Sequence, residues 1–324
     1  MKVHVSGVGL LGAFVLDELA RRGLPFTWDD ADTPTSAWPV CTGAIIPYED
    51  SEPSWYAQGY RAWAQQLAAQ PEAFAPLLEP VQVVYALKGV PGRLEGSKPI
   101  PLGQTADGVR LWREPKTAWQ LNAPQFVQVT RARFAAQRQL CTTAPLAPDV
   151  TPVRCWGIHD PAAQPIPLWG WARLVHLRPH ARCPFWPTPE QPRVSLHFND
   201  PDYKGNPGAR YYFQPLAGTD LWWAGSDRVR QRTAVAPDTE KYVARFTTAV
   251  ERVWGRWLTV EPADAHIRHG WRPEERNNFW KKGPPVRWVE GTLVPRPHAR
   301  NGSQCGLLLA RTLVDVLMNP RRPV

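Results

Sequence analysis

The chain has 324 residues, 43% hydrophobic and 21% charged, which excludes a disordered polypeptide and gives length enough for two domains with real cores. No apolar run reaches the roughly 18 residues of a membrane-crossing helix, and no cleavable apolar leader precedes the first predicted strand, so a cytoplasmic protein with no membrane partner is expected. The net charge of +9 favours a polyanionic partner or an acidic substrate.

Lys2 to Ser6 alternates and is rich in valine, which predicts a strand. Gly7-Val8-Gly9-Leu10-Leu11-Gly12 follows. Ala13 to Arg22 then has helical periodicity, with Phe14, Leu16 and Leu19 apolar and Asp17, Glu18, Arg21 and Arg22 polar. Pro25 to Trp28 is a second short strand that closes on Asp29 and Asp30. Further along, a helix is expected over 56–69, strands over 81–87 and 109–113, a helix over 125–140 and a strand over 150–156. Prolines crowd 161–192, which reads mostly as loop. Strands over 193–198, 211–214 and 221–224 and helices over 239–258 and 306–318 complete the pattern. Cys41, Cys141, Cys155, Cys183 and Cys305 are dispersed, so neither a disulfide framework nor a zinc site is expected, and no metal is assigned.

Strand, glycine turn, helix, strand and acid within about thirty residues make up the dinucleotide fingerprint. Gly7 permits the tight turn, Gly9 lets backbone approach a pyrophosphate, and Gly12 allows helix and strand to pack closely. The helix start, including Leu10 and Leu11, offers unpaired N–H groups and a positive dipole end to phosphates. Asp30 follows Gly12 at the spacing of an acid that accepts hydrogen bonds from adenosine-ribose hydroxyls, and Asp29 is the alternative for that role.

The segment after the acid, Thr35-Ser36-Ala37-Trp38-Pro39-Val40-Cys41-Thr42-Gly43-Ala44-Ile45-Ile46-Pro47, resembles the loop that follows the ribose acid in the D-amino-acid oxidase and glycine oxidase family. Gly270-Trp271-Arg272-Pro273 looks like that family's G-x-R-P element, and His298-Ala299-Arg300-Asn301-Gly302 like the element before its last helix. Tyr211-Tyr212-Phe213-Gln214-Pro215 and Leu221 to Ser226 resemble paired strands of its substrate domain. Leu168-Trp169-Gly170-Trp171 is the candidate remnant of the second flavin motif, and 277–285 departs from the usual segment after the arginine.

The resemblance implies an α/β chain: a Rossmann-type FAD-binding domain with an inserted antiparallel-sheet α+β substrate domain. It implies a discontinuous FAD part from 1–80, 125–172 and 266–324, and a substrate part from 81–124 and 173–265. The cofactor implied is FAD, with Ser36, Thr42, Gly43, Ala44, Asn301 and Gly302 beside it. Arg272 would hold a substrate carboxylate, Tyr212 would wall the pocket, and Arg300 would support the flavin or a substrate anion. The reaction implied is oxidation of the C–N bond of a small amine or N-substituted glycine-like group. Because the family includes an oxidase domain that acts on wobble uridine of tRNA, the same group carried on modified DNA or tRNA is a second expectation. Arg131-Ala132-Arg133 and Arg228-Val229-Arg230-Gln231-Arg232 are the candidate phosphate contacts for it. A non-enzymatic flavin-binding scaffold is the third.

Overall fold

The structure, a computed structural model, describes residues 1–31, 41, 43–47, 55–88, 99–105, 107–141, 146–156, 166–202, 211–225, 229–230, 237–274, 285–295 and 302–319. The first half of the chain gives β1 (Lys2–Ser6), α1 (Leu10–Arg21), β2 (Phe26–Asp29), β3 (Ala44–Ile45), α2 (Trp55–Ala69), β4 (Leu78–Leu87), β5 (Ile100–Gln104), β6 (Arg110–Arg113), β7 (Ala118–Leu121), α3 (Ala123–Arg133) and β8 (Val150–Arg154). The second half gives β9 (Ile166–Pro179), β10 (Arg193–Phe198), β11 (Tyr211–Pro215), β12 (Trp222–Gly225), β13 (Val229–Arg230), α4 (Thr239–Trp254), β14 (Leu258–Pro262), β15 (Arg268–Glu274), β16 (Val286–Val289), β17 (Thr292–Pro295) and α5 (Gly302–Met318).

Valines at positions 3 and 5 send one face of β1 into the first core, while His4 faces the other way. β1 pairs in parallel with β2 on one side and β8 on the other. Beyond β8 lie β17, also parallel, and its hairpin partner β16. Residues of α1, α2, α3 and α5 fill the core with this sheet: Phe14, Leu16, Trp63, Phe126, Leu307 and Leu313 are all buried in it. This is the strand, turn, helix and strand order that the glycine pattern predicts.

The second sheet runs β13-β9-β12-β11-β10-β4-β6-β5, with β14 and β15 also on β9, β7 on β4, and β3 on β7. Only β4 and β10 are parallel among its described pairs. Side chains alternate across a strand, so each strand has one row for each face. Val84, Leu111, Val194, Leu196, Phe198, Phe213, Trp169, Trp171 and Trp271 occupy one face and form the second core with α4.

Two expectations change. The helix over 125–140 ends at Arg133, where Phe134 turns inward against Phe26 and a short 3-10 turn, Ala135–Gln137, follows. The loop over 161–192 contains the 14-residue strand β9, because its prolines stand at the strand's ends and residues 168–178 carry none. The tract Leu168 to Trp171 lies within β9, with Trp169 and Trp171 in the second core. Residues 166–172 and 268–274, grouped on sequence grounds with the nucleotide-binding part, pair with each other in the second sheet.

Candidate functional site

The glycine turn joins β1 to α1 at the carboxyl edge of the first sheet, where ligands of open parallel α/β sheets bind. Gly7 has a φ of +89°, and its amide donates to the Asp29 carbonyl at 3.0 Å. A Cβ there would lie 2.8 Å from the Cys155 carbonyl oxygen, because the end of β8 closes against the turn. A Cβ on Gly12 would press into the Gly7 carbonyl. Gly9 caps α1 without a side-chain hydrogen bond, and the first turn, which holds Leu10 and Leu11, carries no acid. The positive end of that helix is not answered by a carboxylate of its own first turn.

The two candidate acids part company. Asp29 Oδ2 lies 3.2 Å from His4 Nε2, whose Nδ1 is 2.9 Å from Thr27 Oγ1, so Asp29 belongs to a polar ladder across the sheet. Asp30 forms an ion pair with Arg131, and the Arg131 Nε donates to the Val8 carbonyl inside the glycine turn at 2.9 Å. Arg131 thus ties turn and acid together from the last turn of α3. Burial, and after it the like charge of Arg138, holds Arg131 below the usual arginine value. Cation and carboxylate answer each other beside the turn.

A second cluster forms where β3 meets α5. Gly43 has a φ of +72°, and a Cβ there would run into the Leu121 carbonyl; its own carbonyl accepts from the Leu121 amide at 3.0 Å. Ser303 in the first turn of α5 donates from Oγ to the Ala44 carbonyl at 3.0 Å, and Trp63 Nε1 donates to the Ser303 carbonyl at 2.9 Å. The Gly43–Ala44 backbone and the start of α5 at Gly302 are therefore neighbours, although some 260 residues separate them.

The face of the second sheet opposite its core carries a polar row beside a small apolar cluster, Val81, Val83 and Ala118. Register places Tyr85, His197 and Tyr212 side by side across β4, β10 and β11, and Tyr212 opposite Gly225 in β12. The Tyr212 hydroxyl lies over Gly225, 3.1 Å from where a Cβ would stand. Ser195 Oγ is 3.0 Å from His197 Nε2, and the Tyr85 and His197 rings are 5.5 Å apart. Burial, and after it the charge of Glu114, pushes the Tyr85 phenol well above its usual value. Arg272 stands in β15 opposite Leu168. Ser36, Thr42, Arg300 and Asn301 lie outside the described residues.

Sequence reasoning placed Arg131 among candidate phosphate contacts for a nucleic acid and missed its place at the glycine turn. Its two contacts lie 123 and 101 residues away, which no local pattern reveals. It also missed Ser195 and His197, although the alternation of Arg193 to Phe198 did carry the signal: valine, leucine and phenylalanine on one face, serine and histidine on the other. All five cysteines are free. Among the described residues no group of three or more His, Cys, Asp or Glu could hold a metal, and no helix is long and apolar enough to cross a membrane.

No protein-family model matches the chain, and no curated protein matches it in sequence. Solved structures match over nearly its whole length. Glycine oxidase from Bacillus cereus aligns at a TM-score of 0.71 and 12% identity, covering 99% of this chain and 96% of its own. Iminodiacetate oxidase from Chelativorans sp. BNC1 aligns at 0.67 and 16% identity, covering 98% of this chain and 95% of its own. L-alpha-glycerophosphate oxidase from Mycoplasma pneumoniae, a structure with FAD bound, aligns at 0.67 and 10% identity over 98% and 94%. The chain has the fold these proteins share.

Proposed function

We propose that the chain is an FAD-dependent oxidoreductase acting on the C–N bond of a small amine or N-substituted glycine-like group. The observation that carries this is the glycine turn itself: an α1 start with no side-chain cap, packed so closely that Gly7 and Gly12 exclude side chains, beside an acid fixed by Arg131. These residues fit the diphosphate and adenosine end of a dinucleotide. Similarity in fold to a protein with FAD bound supports the choice of FAD. That protein is named for a glycerophosphate and two others for amines, so the fold alone does not choose the bond. The choice of a C–N bond rests on Arg272 and Tyr212 matching the amino-acid oxidase pattern.

Gly7, Gly9, Leu10, Leu11 and Gly12 would meet the diphosphate, and Asp30 the ribose, with Asp29 kept in the sheet. Gly43, Ala44 and Gly302, with Ser36, Thr42 and Asn301, would flank the ring. When bound, FAD supplies the hydride acceptor. Arg272 would pair with a substrate carboxylate, since a guanidinium fork matches it bidentately, and Arg300 would hold a further anion. Tyr212 would fix the side of the pocket, so that the carbon bearing the nitrogen is presented in one orientation. The nucleotide-binding part would be discontinuous, drawn from the N-terminal, central and C-terminal segments. A second reading attaches the same amine to modified DNA or tRNA, and the net charge of +9 favours it.

The purified protein is expected to be yellow and to bleach anaerobically with glycine, sarcosine or a related amine. Arg272→Lys is expected to raise KM for carboxylate-bearing amines by on the order of tenfold or more, with less effect on amines lacking a carboxylate. A colourless protein that takes up NAD and not FAD overturns the proposal.

A further inference from the structure

Gln120 is 1% exposed, and both its carboxamide oxygen and its nitrogen are buried with no hydrogen-bond partner among the described residues. A buried donor and acceptor left unmade together are costly, and a leucine would fill similar space without that cost. Two polar side chains beside it, Asn122 and Glu79, are satisfied. Asn122 donates from Nδ2 to Gln125 Oε1 at 2.9 Å and to the Ala217 carbonyl at 3.1 Å, and Glu79 accepts from Arg193 Nε at 3.1 Å.

The position of Gln120 in the fold says where its amide is aimed. In β7, Trp119 and Leu121 pack on the first core, so Ala118 and Gln120 face the opposite way. Register sets Gln120 between Glu79 of β4 and Ala44 of β3. Along β4 the same face passes the apolar cluster of Val81, Val83 and Ala118 before it reaches the row Tyr85, His197 and Tyr212. Ala44 is also the residue whose carbonyl receives Ser303 at the start of α5. Gln120 therefore stands beside the Gly43–Ala44 backbone that receives the start of α5, on the face of the second sheet opposite its core.

We propose that Gln120 is a ligand-reading residue whose carboxamide pairs with a planar edge that presents a donor beside an acceptor, as in an imide. Two sources carry that edge, the flavin ring and a pyrimidine base on the substrate. The proposal rests on the FAD reading only for the first. A side chain kept for a ligand weakens the protein without it, so function and stability should move in opposite directions when it is replaced.

The test compares Gln120→Leu and Gln120→Met with the unaltered chain, all as apoprotein, by thermal melting, FAD titration and titration with 5-carboxymethylaminomethyluridine. The expected result is a melting temperature that holds or rises by about 2–4 °C. With it, one dissociation constant should weaken by on the order of tenfold. Weaker FAD binding assigns the flavin edge, and weaker nucleoside binding with FAD unchanged assigns the base. Unchanged affinity for both, whichever way the melting temperature moves, overturns the proposal, as does loss of stability in both variants without selective weakening of either ligand. An unaltered chain that takes up no FAD overturns the functional reading, and the nucleoside arm then decides Gln120 by itself.

Discussion

Gly12 shows how little freedom the turn has. Its missing side chain is what lets α1 lie against the carbonyl of Gly7, and a single methyl group has nowhere to go except into that backbone oxygen. Gly12→Ala is therefore expected to lose FAD uptake, read as the ratio of flavin to protein absorbance after purification, and to lower the melting temperature as well. Full flavin content in that variant would mean that the turn does not receive the diphosphate. This residue was legible because its chemistry is local: three glycines, their spacing and the flanking periodicity all lie within one βαβ stretch. Arg131 carries as much of the turn's geometry and was illegible, because its role depends on α3 returning to β1 and β2. Gln120 was illegible for a related reason. A glutamine in a short strand reads as a solvated residue until neighbouring strands bury it.

Helix α1 depends on one buried acid for its docking. The Glu18 side chain is 3% exposed and accepts from Arg21 Nε and Arg22 Nε, both at 2.8 Å, while Arg22 Nη2 reaches Asp315 Oδ1 of α5 at 2.9 Å. Burial pulls the Glu18 carboxyl upward, but the hydrogen bonds and charges of Arg21 and Arg22 outweigh it, so the group titrates below its ordinary value. A carboxyl depressed by folding contributes stability that is fully present above its unfolded value and is lost as pH falls through the folded one. The melting temperature is expected to drop as pH goes from about 5 toward 3, with part of that drop missing in Glu18→Gln. At neutral pH that variant should cost about 2 kcal/mol, less than a fully buried pair because Arg21 is half exposed. An acid profile identical to that of the unaltered chain would remove Glu18 from this role. At the same scale, α1 and α5 were readable because a helix shows one apolar stripe to one core. Strand β9 was not. Gly170, Ala172 and Leu174 face one side and Trp169, Trp171, Val175 and Leu177 the other, so alternation of apolar with polar is absent and the flanking prolines suggested loop. The two-residue strands β3 and β13 are too short for any pattern.

The net charge of +9 belongs to the whole molecule and separates the two substrate readings. Of the arginines proposed to follow a phosphate track, Arg131 is bound to Asp30 and Arg133 to Asp17. Arg252 likewise gathers Asp107, Asp200 and Asp202. Near the glycine turn, Arg138 lies over the Trp28 ring and Arg154 over Trp156, at 5.3 and 4.9 Å. Positive charge so placed would act on the phosphates of a dinucleotide at the turn before it acts on a second polyanion, because Coulomb attraction falls with distance and salt screens it over about 10 Å. FAD uptake by the apoprotein is therefore expected to weaken as salt rises. Reduction of the loaded enzyme by a free amine should barely change, and added tRNA should leave its rate alone. Stopped-flow bleaching across a salt series measures both. If instead free glycine and sarcosine reduce the flavin slowly and RNA bearing the modified uridine binds with a steep salt slope, on the order of one log unit of affinity per log unit of salt for each phosphate engaged, the amine is carried on nucleic acid. In that case most of the binding energy comes from groups remote from the reacting carbon.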